Sequence, residues 1–438
     1  MNRRILGLAV PSIVANITTP LLGMVDTAIA GHMGGHGSGL SSAFYIGAIA
    51  VGGVMFNMLY WLFGFLRGGT SGLAAQAYGS QNRAEQSLVL YRSLLIAVGV
   101  GVVMILLQWP LRLLLRWIVD ADAATAELAN RYFTILIYGA PAVLATYTLS
   151  GWFLGMQNSR MMMIVSIVIN ITNIIVSLGL VYGLGWQIDG IATGTLVAQW
   201  SGVAVALILL QRYHVERPRW ADVISGRSLA RFFRVNIEMM LRTVCLITVT
   251  VWFTKWGARQ GAVILAVNTL LMQLFLLFSY FMDGFAFAGE ALVGRFVGEG
   301  DGAKLRRCVK SLMMWGMAMS LIFTAIYFFG GEEFLRLLSA DTGVIAASAD
   351  YYIWAAAVPF AGFAAFVWDG VFIGATLTRQ LLESMAAAMA IFFIVLFIFY
   401  PSMGNHALWL AFIIYLAMRG ILQTLLYNRA IRRRPSLS

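Results

Sequence analysis

Residues 5–31 read ILGLAVPSIVANITTPLLGMVDTAIAG, a run that carries a single charge, Asp26. An α-helix needs about 20 apolar residues to cross a bilayer, so this stretch is long enough to span one. A carboxylate placed inside lipid costs roughly 3 kcal/mol on insertion scales, which marks Asp26 as a titratable or ion-binding group. Pro11 and Pro20 lie in the same run. Each removes a backbone donor and can bend a helix, so both are read as hinges.

Outward from this segment, uncharged runs recur at 43–66, 93–111, 132–159, 161–188, 190–211, 260–282 and 311–331. Together with 5–31, 235–256, 350–373, 381–400 and 407–428 they make twelve spans. Of the 438 residues 60% are hydrophobic and 11% charged, more apolar surface than a soluble chain of this length can hide. The runs are continuous and do not alternate, which excludes a β-barrel. The expected fold is an all-α polytopic membrane protein.

An even number of spans puts both termini on one side. Most of the 30 Lys and Arg fall at the termini and in the alternate loops on that side. Six fall opposite (Arg112, Arg116, Arg131, Lys255, Arg259, Arg336), and Arg242 lies within a span. By the positive-inside rule both termini are expected in the cytoplasm, here of a bacterial inner membrane. The net charge of +11 is then mostly a topology signal, and no soluble basic face exists to bind nucleic acid. The basic tail (Arg429, Arg432, Arg433, Arg434) is expected to meet anionic lipid headgroups. The first run is too long for a signal peptide and lacks its cleavage site, so it is read as an anchor. Cys245 and Cys308 are not expected to pair.

The polar stretch 213–234 separates an N-lobe, 1–212, from a C-lobe, 235–438, with six spans each. Internal repetition supports the division. Gly151-Trp-Phe-Leu-Gly155 reappears as Gly370-Val-Phe-Ile-Gly374, and Gly79-Ser-Gln-Asn82 as Gly298-Glu-Gly-Asp301, both at an offset of 219. Six helices per half make the repeat parallel, related by a pseudo-two-fold axis along the membrane normal, which is a transporter design. The glycine-rich stretch 64–79 suits close helix packing or local unwinding.

Asp26 has no ion-pair candidate in the spans of its own half. Amides and hydroxyls surround it in the sequence: Asn16, Asn170, Asn173, Ser177 and Thr195 among them. Apolar walls disfavour the charged form of a carboxyl, so it can load a proton from one side and release it to the other. The second half holds Glu238, Arg242, Asp283, Glu290 and Asp369 as cavity candidates. Glu238 and Arg242 are four apart and are expected to pair. Asp283 and Glu290 are seven apart on roughly one helix face, and Asp369 either faces a cavity or caps its helix.

Enzymatic readings fare poorly. Gly69-Thr-Ser71-Gly72 has the form used by intramembrane serine proteases, but His406 is expected at the opposite membrane face. His32 and His36 lack a third metal ligand, so no metal site is expected. None of the three lysines follows a glycine, so there is no phosphate loop and no nucleotide as energy source. A passive channel is expected to show a filter motif, and none is visible.

Several motifs together resemble the MATE multidrug exporters, and within them the DinF branch. They are Asn16-Ile-Thr, Pro20-Leu-Leu-Gly-Met-Val-Asp26-Thr, Gly72-Leu-Ala-Ala-Gln76-Ala-Tyr-Gly79, Asn236-Ile-Glu-Met-Met-Leu-Arg242-Thr, Asp283-Gly-Phe-Ala-Phe-Ala-Gly-Glu290, Asp369-Gly-Val-Phe-Ile-Gly-Ala-Thr376 and Gly404-Asn-His-Ala-Leu-Trp-Leu-Ala411. The resemblance implies a V-shaped, twelve-helix antiporter that exports small organic, often cationic drugs in exchange for H⁺ or Na⁺, with H⁺ the DinF-like choice. It matches Asp26 to the coupling carboxylate, and Asn173 and Thr195 to the polar network around it. The family's N-I-x-L-D pattern reads Asn173-Ile-Ile-Val-Ser177 here, so the usual second acid is a serine. The expectation is a monomeric, non-enzymatic, proton-coupled exporter without a cofactor. Two alternatives stay open. One is Na⁺ coupling through the second-lobe acids. The other is a flippase for lipid-linked substrates, which should favour a wide basic cavity, whereas the intramembrane ionisable residues read as mostly acidic.

Overall fold

The computed structural model describes residues 1–33, 41–118, 122–338 and 342–432. His36, Arg433 and Arg434 lie outside them. Among the described residues twelve helices are long and apolar enough to cross a membrane. They are α1 (Asn2–Gly31), α2 (Ser42–Gly79), α3 (Arg83–Leu106), α4 (Ala123–Gly155), α5 (Ser159–Gly183), α6 (Gln187–Tyr213), α7 (Phe232–Ala258), α8 (Ala262–Glu299), α9 (Gly302–Gly331), α10 (Tyr352–Gly374), α11 (Thr378–Met403) and α12 (Asn405–Ala430). No strand occurs among the described residues.

The helices outrun the uncharged runs. α2 turns at Phe63 and Gly64, where the Gly64 amide bonds back to Trp61, and then continues through Arg67 to Gly79. α8 carries Asp283 and Glu290 inside its 38 residues. α1 runs unbroken through both Pro11 and Pro20. A charged or proline residue inside a span therefore does not end the helix here.

The repeat is written into the backbone as well as the sequence. Gln157 and Thr376 both adopt the left-handed conformation, with φ of 65° and 51°, as do Gln81 and Gly300, with φ of 56° and 72°. Each pair is separated by the same 219 residues, the spacing that the motifs show. At the first pair the helix closures are identical. Asn158 donates to the Phe153 carbonyl at 2.9 Å and Leu377 to the Phe372 carbonyl at 2.9 Å, the six-to-one bond that closes a helix end. The next helices begin alike too, with Asn82 accepting from the Glu85 amide at 3.0 Å and Asp301 from the Lys304 amide at 2.8 Å.

The chain packs as two compact units. The first comprises Met1–Ile13, Ser71–Gln81 and Arg231–Ser438; the second comprises Val14–Thr70 and Asn82–Ala230. Packing thus divides α1 between Ile13 and Val14, between the two prolines. In the second unit the stretch after α6 is tied down. Arg92, 2% exposed, donates from Nε to the Val223 carbonyl at 3.0 Å and from Nη2 to the Asp222 carbonyl at 2.6 Å.

In the first unit the end of α2 crosses α8 at the repeat axis. A side chain at Gly79 would run into the backbone of Arg295, and one at Gly298 into the backbone of Gln76. Gln76 and Arg295 are themselves repeat equivalents, so the two contacts mirror each other. Gly370 backs in the same way onto the Ala286 carbonyl, and its equivalent, Gly151, onto the Arg67 carbonyl in the second unit. Only glycine allows backbones this close. Gly370→Ala is expected to cost about 1–3 kcal/mol by overpacking. A fall in the melting temperature of the detergent-solubilised protein checks it, with Gly99→Ala, where nothing lies within 4 Å, as the unaffected control.

Candidate functional site

Four helices of the second unit converge on Asp26, which is 1% exposed. Asn173 of α5 donates from Nδ2 to its Oδ1 at 3.2 Å, and Thr195 of α6 donates from Oγ1 to its Oδ2 at 2.9 Å. Tyr132 of α4 approaches Oδ2 with its hydroxyl at 3.5 Å, a long and weak contact. Asn173 Nδ2 also lies 2.9 Å from Thr195 Oγ1 and 3.5 Å from Ser177 Oγ. Local packing sets this up. A Cβ on Gly194 would lie 2.8 Å from Ser177 Cα, so α5 and α6 touch there and bring Asn173 beside Thr195. Gly52 of α2 in turn leaves room for the Tyr132 ring, with an added Cβ only 3.1 Å from its Cε1.

The site is built from neutral donors. Among the described residues no Lys or Arg lies within salt-bridge distance of Asp26. The donors are also rationed. Thr195 has one hydroxyl proton, and the Ile191 carbonyl at 3.1 Å competes with Asp26 for it. Asn173 Oδ1 is buried with no hydrogen-bond partner. A carboxylate here is held by two donors, while a protonated carboxyl has a donor of its own and an acceptor waiting beside it.

The structure places three of the five residues expected around Asp26 with it: Asn173, Thr195 and, more loosely, Ser177. It separates the other two. Asn170 donates to the Ser166 carbonyl of its own helix at 2.9 Å, and the Nδ2 of Asn16 has no partner. Asn170 lies one residue short of a full turn from Asn173, enough to rotate it off the carboxyl. Tyr132 was missed. Its signal was an aromatic with a polar tip near the start of a span, which nothing in the sequence separates from the chain's other tyrosines.

In the first unit three of the four acids expected to line a cavity, Glu238, Glu290 and Asp369, accept hydrogen bonds from side chains, and the fourth, Asp283, half-buried, is also engaged. Asp369 takes Arg419 Nη2 at 2.7 Å, Gln423 Nε2 at 2.8 Å and the guanidinium of Arg242. It therefore neither caps α10, which continues to Gly374, nor stands open. The expected Glu238–Arg242 pair does not form. Glu238 accepts from Thr378 instead, because the long Arg242 side chain reaches across to the more deeply buried carboxylate of Asp369. Arg419, not singled out in the sequence although it falls inside the run 407–428, is inside α12 and 3% exposed. The intramembrane charge of this half is thus less acidic than expected. Glu290, 1% exposed, accepts from Ser71. Ser71 is so committed, and His406 takes the Trp354 indole N–H on Nδ1 at 3.0 Å.

Residues 11–178 and 235–400 each match the family model described as MatE. The chain belongs to the MatE family. The two MatE matches coincide with the two repeats, so the family's unit occurs twice in one chain. The DNA damage-inducible protein F of Escherichia coli (strain K12) is 36% identical over 425 residues, covering 96% of this chain and 91% of that protein. The probable multidrug resistance protein NorM of Chromobacterium violaceum is 24% identical, covering 99% of this chain and 94% of that protein. A solved structure described as MATE in the bent conformation superposes with a TM-score of 0.89 at 18% identity, covering 100% of this chain and 97% of that one. The MatE relatives and the twelve spans agree on a multi-pass membrane transporter architecture.

Proposed function

We propose that this protein is a secondary exporter of small organic compounds, cationic or amphipathic, driven by H⁺ entering through Asp26. The observation that carries the proposal is the buried carboxyl held only by neutral donors. Such a group can change charge without breaking an ion pair. With Asp26 ionised, Asn173 and Thr195 bind it and tie α1 to α5 and α6. With Asp26 protonated, those bonds weaken, and its new O–H can donate to Asn173 Oδ1 once the amide turns. α1 is then free to rearrange at Pro11 and Pro20, which releases substrate outward. Inward opening frees the proton and loads the next substrate. The multidrug name of the NorM relative supports the export reading. The protein works as a monomer in a bacterial inner membrane with both termini cytoplasmic, its basic tail against anionic lipid.

Na⁺ coupling through the second-half acids has less support. Asp369 is already matched by Arg242 and Arg419, and Glu290 and Glu238 accept from hydroxyls. In proteoliposomes a pH gradient imposed without Na⁺ is expected to drive an organic cation dye against its own gradient. Movement that requires a Na⁺ gradient, and ignores the pH gradient, overturns the reading.

A further inference from the structure

We propose that Tyr132, Tyr60 and Tyr147 form a hydroxyl path that carries the proton from Asp26 toward the end of the second unit marked by Arg67. The inference rests on Asp26 being the proton carrier, and it adds the route by which the proton leaves.

α2 and α4 lie side by side and run in the same direction. Their contacts fall in the same order along both: Gly47 with Thr125, Gly52 with Tyr132, Phe56 with Phe133, and Arg67 with Gly151. Depth along one helix can therefore be compared with depth along the other. Tyr132 lies level with Gly52, Tyr60 is about two turns further along α2, and Tyr147 is about one turn before Gly151, which is level with Arg67. The four residues descend in order from the level of Asp26. They are also neighbours. Phe56 stacks on Tyr60 at 5.5 Å and on Phe133, next to Tyr132, at 5.1 Å. Tyr132 and Tyr60 belong to one buried cluster, and Tyr147 packs against it. The hydroxyls of Tyr132 and Tyr60, those of Tyr60 and Tyr147, and Tyr147 and Arg67 lie within electrostatic reach of one another. Gly151, one turn beyond Tyr147, touches the Arg67 backbone.

Tyr60 is the pivotal member. Its Oη is buried, and among the described residues it has no hydrogen-bond partner, an expensive state for a hydroxyl in an apolar cluster. In the path each hydroxyl oxygen accepts a proton on a lone pair and passes its own proton onward, with water bridging between rings. No bond but O–H forms or breaks, and each tyrosine ends neutral. Arg67 keeps a proton from resting at the exit, since a cation repels it.

The test compares Tyr60→Phe, Tyr60→His and Tyr147→Phe in proteoliposomes with wild type and Asp26→Asn, following dye transport under a pH gradient and dye binding at equilibrium. Phe keeps the ring and loses the proton. Transport by each Phe variant is expected to fall by about tenfold or more with dye affinity unchanged, and Tyr60→His, which restores an exchangeable proton, to recover part of it. A packing role predicts the reverse order, with Phe close to wild type and His impaired. That result, or undiminished transport by both Phe variants, overturns the path. Transport by Asp26→Asn equal to wild type instead overturns the proton-carrier reading beneath it, so the two failures are told apart.

Discussion

The Asp26→Asn variant is expected to lose pH-gradient-driven transport by about a hundredfold or more while still binding substrate. Asparagine keeps the size of the side chain and an oxygen to accept from Asn173, and its NH2 can donate to Thr195 Oγ1 once that hydroxyl turns wholly to the Ile191 carbonyl, but it has no proton to exchange. Removing a group that transfers a proton in the rate-limiting event typically costs two to four orders of magnitude. The variant resembles the protonated, neutral carboxyl, so it should hold one arm of the transport cycle and still fold. Its stability should match or exceed wild type, since a neutral amide is cheaper to bury than a carboxylate. Dye transport and dye binding measured on the same preparation decide the matter. Undiminished pH-driven transport by the Asn variant excludes Asp26 as the carrier, because among the described residues no other carboxylate, and no Lys, Arg or His, bonds with that network.

The second large effect is on stability. Asp369→Ala is expected to destabilise the protein by about 3–5 kcal/mol, because it leaves Arg242 and Arg419 buried against each other without a counter-charge. Arg419 is 3% exposed and cannot turn its head to water. The expected readout is a large fall in detergent melting temperature and poor recovery of monodisperse protein. Replacing the cluster as a whole, with Asp369→Leu and both arginines to Met, should restore most of the loss, since an apolar set of similar volume needs no partner. A melting temperature unchanged by Asp369→Ala rules out the ion cluster as a stabilising element. Dye transport by the triple variant then reports whether the cluster also matters for export.

Much of this was legible in the sequence, and the limits have physical causes. Spans follow from hydropathy because lipid gives backbone groups no alternative partner, so twelve runs became twelve helices. The 219-residue offset was legible because Gly151 and Gly370 each lie against a backbone carbonyl, so both copies need glycine at the same place. Asp26 stood out because a lone charge in lipid is costly. Partner choice was not legible. Helical spacing paired Glu238 with Arg242, but spacing ranks neighbours on one helix only, and the deeper Asp369 on α10 competed from outside it. Arg419 was passed over for a related reason: it lies mid-way along the run 407–428, and a count of basic residues by side of the membrane does not ask which of them meets a buried acid. Tyr132 and Tyr60 were hidden because sequence cannot tell a ring facing lipid from one whose hydroxyl turns inward.

One contact bears on how such a chain comes to exist. Ser71 and Glu290 are separated by the repeat offset itself and bond to each other. Each therefore meets its own counterpart at the place where the two copies cross. If a duplicated half is to close on itself, whatever stands at that place stands there twice. Two serines can share a hydrogen bond. Two glutamates would set like charges together in a fully buried site, and one of them would have to stay neutral. A serine facing a glutamate escapes both limits, but only in a chain whose copies have stopped being the same. The crossing point is where a tandem gene first gains from divergence, and this chain has diverged there: its two halves are no longer interchangeable parts.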